Sequence, residues 1–169
     1  MTASATTTTT TSPLSEKVTC RIREEEVIAA QKGWGNGIVE IGAAKDPIQA
    51  AKAHIDKFYA FDSSGVLFKP TLAAKVQFRT TKAAALSYFV GGEIAEDGGF
   101  ALTPFVKVRW ENEGIIIQQT TALAMGNYFF TNQQGDEIKV EFSFSYIKDD
   151  AGQLKITLHH SSVPYNPAQ

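Results

Sequence analysis

The sequence predicts an α+β fold in which helices come first and a curved antiparallel sheet follows. Three observations predict it. Helical spacing with recognisable caps fills the first half of the chain. Alternation of apolar and polar residues fills the second half, and turn clusters divide that half into a four-stranded meander. A strongly curved sheet wrapped over a long helix leaves a cone with an internal pocket.

The elements follow in order. Glu24-Glu25-Glu26 puts negative charge in a first helical turn, where the helix dipole favours it, and Val27, Trp34, Ile38 and Ile41 continue at helical spacing. Gly33, Gly35 and Gly37 interrupt this pattern, each costing about 1 kcal/mol against alanine; either the helix is weak there or another backbone approaches closely. Gly42 is a candidate cap for its end. Asp46-Pro47 opens a second helix as cap and first residue, with Ile48, Ala51, Ile55 and Phe58 as its apolar stripe and His54 beside it. Val66-Leu67-Phe68 reads as a short strand stopped by Pro70, and Val76 to Arg79 as another. Thr80 or Thr81 caps a third helix that carries Tyr88 and ends at Gly91-Gly92. Phe105 to Trp110 alternates, Asn112-Glu113-Gly114 reads as a hairpin turn, and Ile115 to Phe130 is a long, partly apolar run bent at Gly126. After a turn at Gln133 to Asp136, Val140, Phe142, Phe144 and Tyr146 share one face, opposite Glu141, Ser143 and Ser145. Asp149 to Gly152 turns the chain into the last strand, which ends Leu158-His159-His160-Ser161-Ser162-Val163-Pro164.

A length of 169 residues and a hydrophobic content of 43% are those of one soluble domain with a real core. We read residues 1–17 as a disordered Thr/Ser-rich tail and 18–169 as a single α+β domain. A net charge of −2 argues against generic nucleic-acid or anionic-membrane binding, which needs clustered Lys and Arg. The lone cysteine, Cys20, excludes a disulfide framework and a cysteine-rich zinc site. No apolar run reaches the length of a membrane span, and residues 1–12 lack the basic and apolar regions of a secretory leader. A cytoplasmic protein is the expectation.

Three histidines without HxH or HExxH spacing make a poor zinc centre, since catalytic zinc takes three protein ligands, and successive strand residues point to opposite faces. No GxSxG elbow marks a nucleophile, and GxGxG over Gly33 to Gly37 lacks the preceding strand of a phosphate loop. General acid–base chemistry is left. On the last strand Ile156, Leu158, His160 and Ser162 share one side, and Lys155, Thr157, His159 and Ser161 the other. The apolar partners of the first set place it inside, so His160 and Ser162 are expected in the pocket and His159 and Ser161 on the outer face. A histidine carries protons well near neutral pH, yet His160 taken alone reads more readily as a core histidine tied to a hydroxyl. Tyr88 is either a core aromatic or a pocket hydroxyl, and Thr71 reads as a turn residue. Arg79 and Arg109 would more often snorkel to solvent than bind an anion in the cone.

The terminal run Ile156 to Pro164 resembles that of the association domain of calcium/calmodulin-dependent protein kinase II, a member of the nuclear transport factor 2-like superfamily of α+β cones. Taken with Val66-Leu67-Phe68-Lys69-Pro70-Thr71, Ala85 to Gly92 and Ala124 to Phe130, it is more similar to iota-class carbonic anhydrases. That resemblance implies reversible hydration of carbon dioxide to bicarbonate, without cofactor or metal, in a homodimer joined through its sheets. It implies Thr71, Tyr88, His160 and Ser162 as catalytic residues, with Thr71, Tyr88, Ser162, Ser161 and His159 contacting substrate. On this reading hydroxyls fix the attacking water and His160 takes its proton. The alternative is a non-catalytic oligomerisation or small-ligand-binding module, because the same fold hosts both. An isomerase of this superfamily would place a carboxylate in the cone, and Glu141 falls on the face opposite Val140 and Phe142.

Overall fold

A computed structural model describes residues 21–167; the tail expected over residues 1–17, and Cys20, lie outside them. Helix α1 runs unbroken over Glu24–Ala43, its start held by Glu26, whose carboxylate accepts the Arg23 backbone N–H at 2.9 Å. The three glycines do not interrupt it. They admit neighbouring side chains rather than a backbone: a Cβ on Gly35 would lie 2.9 Å from Val108, and one on Gly37 only 2.2 Å from His54 Nδ1. Helix α1 is therefore seated tightly between the sheet and the next helix. Gly42 lies inside the helix, and Ala44 caps it. Helix α2, Pro47–Phe58, starts as expected, with Asp46 accepting from the Gln49 N–H at 3.0 Å. Helix α3, Lys82–Val90, is capped by Thr81 and ends on Gly91 at φ 77°.

Strand β1, Leu67–Lys69, and strands β2 (Lys107–Gln118), β3 (Thr121–Thr131), β4 (Glu137–Lys148) and β5 (Leu154–Ser162) form one sheet in the order β1-β5-β4-β3-β2. The last four make the expected antiparallel meander, and β1 adds to its edge parallel to β5. Asn112 to Gly114 is a bulge within β2, not a hairpin turn, and sits opposite Gly126. A Cβ at Gly126 would lie against the Glu111 carbonyl, so glycine is what lets the bulge close. The hairpin turn is Gln119-Thr120, with Gln119 at φ 48°, a position that Gly or Asn usually fills.

The stretch from Val76 to Arg79 does not join the sheet. Val76 and Phe78 are exposed, while Arg79 is fully buried, its guanidinium bound to the Val76 carbonyl and, at 2.7 Å, to buried Asp97. Glu96 receives the backbone N–H groups of Ala74, Lys75 and Val76. This carboxylate-held loop follows directly on Thr71. Arg109, by contrast, lies at the surface, paired with Glu137 and set over the Phe129 ring.

Candidate active site

The phase of β5 decides the site. Tyr146 pairs with Ile156, but Ser145 pairs with Leu158, so Thr157 is an extra residue in the ladder. Such a bulge turns every later side chain to the other face. Ile156 points inward as expected. Past the bulge, His159 (2% exposed) and Ser161 (3%) point inward, whereas His160 is exposed. The placement of His160 and Ser162 in the pocket is thus corrected. His160 pairs across the outer face with Ser143, and Ser162 Oγ donates to Glu141 at 3.1 Å. His160, Ser162, Glu113, Glu141 and Met125 line an outer cleft.

Inside the cone, neighbouring elements converge on the inward pair. Because β1 pairs with β5 at Phe68–His159, the chain leaving β1 passes beside Ser161, and Thr71 Oγ1 donates to Ser161 Oγ at 3.0 Å. Tyr59, at the end of α2, places its hydroxyl 2.9 Å from His159 Nδ1 and accepts the Trp34 indole N–H at 3.0 Å. Tyr128, on β3, lies 3.3 Å from His159 Nε2. Tyr88 on α3 is 6% exposed and meets Phe68, the ring that stacks on His159, edge to face. Thr71, Tyr88, Ser161 and His159 are therefore brought together, while His160 and Ser162 are not. Tyr59, Tyr128 and Trp34 are additions that sequence reasoning missed. The available signal was chemical: a buried tyrosine hydroxyl must find a partner.

Phenylalanines wall this polar cluster. Phe68 stacks on His159 at 4.5 Å, Phe144 lies 4.1 Å from the same ring, and Phe100 stacks on Tyr88 at 5.5 Å. Such surroundings favour neutral forms. Burial lowers the His159 pKa well below the ordinary value and raises those of Tyr59, Tyr128 and Tyr88. Hydrogen bonding by Ser161 partly offsets the rise at Tyr128. At neutral pH the cluster is a set of uncharged donors and acceptors. A cavity of about 220 Å³, lined by Leu72, Tyr88, Glu96, Asp97, Phe100 and Thr103, opens on its Tyr88 side. Among the described residues no group of three or more His, Cys, Asp or Glu is arranged to hold a metal ion, and no helix is long and apolar enough to cross a membrane.

Helices packed on a five-stranded mixed sheet around a buried polar cluster give an α+β fold of the nuclear transport factor 2-like kind. Two distant solved structures share the fold: an association-domain protein from Xanthomonas campestris (TM-score 0.58, 18% identity, 85% of this chain and 89% of that one) and a ketosteroid isomerase-like protein from Parabacteroides distasonis (TM-score 0.54, 17% identity, 91% and 96%). Within that class the chain belongs to the metal-independent carbonic anhydrases, whose family profile matches residues 25–163. It is 45% identical over 167 residues to the metal-independent carbonic anhydrase of Nostoc sp. strain PCC 7120, covering 93% of this chain and 82% of that protein. It also superposes on a cyanobacterial iota-carbonic anhydrase complexed with bicarbonate, with a TM-score of 0.85, 42% identity and coverage of 93% and 99%.

Proposed function

We propose that the chain hydrates carbon dioxide reversibly in the space bounded by Thr71, Tyr88, Ser161 and the His159–Tyr128 pair, using protein groups alone. The observation that supports this most is the convergence of uncharged polar groups, from β5, β3, α3 and the loop after β1, inside an aromatic wall. Carbon dioxide is apolar and suits such walls. Bicarbonate carries three oxygens that need donors, and hydroxyls supply them. Thr71, Ser161 and Tyr88 hold the attacking water beside carbon dioxide, so its oxygen meets the carbon at close range. The same donors then stabilise the charge that grows on the bicarbonate oxygens, and the water's second proton leaves to solvent. Without a metal to lower the pKa of water, positioning and donor placement supply the rate.

The test is stopped-flow carbon dioxide hydration with and without a strong chelator. Equal activity in both arms is expected. Loss with chelator overturns the metal-independent part, and no activity in either arm favours the non-catalytic module. The reading includes a homodimer joined through the outer sheet face, where Ile116, Leu123 and Met125 are exposed and form cross-strand neighbours. A Met125→Glu variant should sediment as a smaller species than the parent.

A further inference from the structure

The hydrogen bonds behind the site run in one direction, and Trp34 sets it. An indole N–H donates and never accepts, so its 3.0 Å contact makes the Tyr59 oxygen an acceptor. Tyr59 is 3% exposed. Among the described residues, the partner left for its phenolic hydrogen is His159 Nδ1 at 2.9 Å.

Two arrangements agree with these contacts. In the first, Nδ1 accepts from Tyr59, Nε2 carries the ring proton, and Nε2–H donates to the Tyr128 oxygen 3.3 Å away; the Tyr59 hydrogen is then paired, and the Tyr128 hydrogen turns to the Ser161 and Thr71 hydroxyls beside it. In the second, Nδ1–H donates to a Tyr59 oxygen that already accepts from Trp34, and the Tyr59 hydrogen is buried without an acceptor. An unpaired buried donor disfavours the second arrangement by roughly five- to 150-fold.

We infer that Trp34 and Tyr59 are positioning residues of the carbonic anhydrase site, which lock His159 as the Nε2–H tautomer and make it a donor toward the pocket rather than the base for water. With its oxygen accepting from His159, neutral Tyr128 turns its own hydrogen toward the Ser161 and Thr71 hydroxyls, the groups that would donate to it only as a phenolate. Ser161 also accepts from Thr71 at 3.0 Å. In this proposal its own hydrogen is the end of the chain and goes to the ligand. The relay thus favours an anionic oxygen such as that of bicarbonate, and its role in turnover rests on the carbonic anhydrase reading.

The experiment is a long-range proton–nitrogen correlation spectrum of protein labelled with nitrogen-15 histidine, recorded near neutral pH, with His54 and His160 assigned by substitution. His159 is expected to show a protonated Nε2 and an unprotonated Nδ1. Tyr59→Phe keeps the ring but removes the lock, and both tautomers should then appear while kcat falls roughly tenfold. His160→Gln should leave the His159 tautomer and kcat as in the parent. A parent with Nδ1–H, or a Tyr59→Phe variant that keeps the parental tautomer, overturns the inference. The spectrum needs no substrate, so a parent without hydration activity would instead overturn the enzymatic reading.

Discussion

Replacing Ser161 and Ser162 separately by alanine tests the register on which the site depends. Ser161 is 3% exposed, receives Thr71 at 3.0 Å, and couples to Tyr128. Its loss removes one donor to a charged oxygen, about 1.5–3 kcal/mol. At 1.36 kcal/mol per tenfold, that lowers kcat/KM by roughly ten- to 150-fold. Ser162 loses only a 3.1 Å bond to Glu141 on the outer face. Exposed contacts of this kind change stability by less than about 0.5 kcal/mol, so Ser162→Ala should hydrate carbon dioxide at close to the parental rate. Stopped-flow measurement at equal folded concentration compares them directly. A large loss in Ser162→Ala beside a parental Ser161→Ala would refute both the bulge at Thr157 and the site built on it.

His54 is packed against Gly37, neither ring nitrogen has a hydrogen-bond partner among the described residues, and burial pushes its pKa down to about 3. The unfolded chain takes up this proton near pH 6.5 and the folded chain does not until about 3. Stability from this residue is therefore constant above about pH 6.5 and falls as pH drops toward 3, by up to about 1.4 kcal/mol per unit; urea unfolding across that range should show a shallower slope for His54→Leu. Gly37→Ala puts a methyl group 2.2 Å from His54 Nδ1, and overpacking of about 1–3 kcal/mol should outweigh the gain of about 1 kcal/mol in helix propensity. Chemical denaturation reads this, and adding His54→Ala should relieve the clash. Asp97→Ala leaves the buried Arg79 guanidinium only the more distant Glu96 carboxylate at 3.9 Å and should cost up to about 3–5 kcal/mol; an unchanged denaturation midpoint would show that the ion pair does not hold the loop behind Thr71.

The sequence by itself determined what is governed by neighbours along the chain. Asp46-Pro47, Thr81 and Gly91 mark helix ends through local backbone chemistry, and the alternation of Val140 to Tyr146 specifies which face of β4 is buried. The His-His-Ser-Ser run stood out from its own residues, whereas Thr71 and Tyr88 became candidates through the family resemblance. Facing within that run was not legible. It depends on an extra residue at Thr157, which exists only because Ser145 and Tyr146 on another strand accept partners two residues apart. Likewise Gln119 turns the chain without a turn residue's signature, because the two long strands around it fix their own pairing. Tyr59, Tyr128 and Trp34 stand 25 to 100 residues from the groups they bond and are hidden among ordinary core aromatics. Only tertiary packing brings those hydroxyls to His159, and the pairing of β5 with β4 decides which histidine of the pair faces inward.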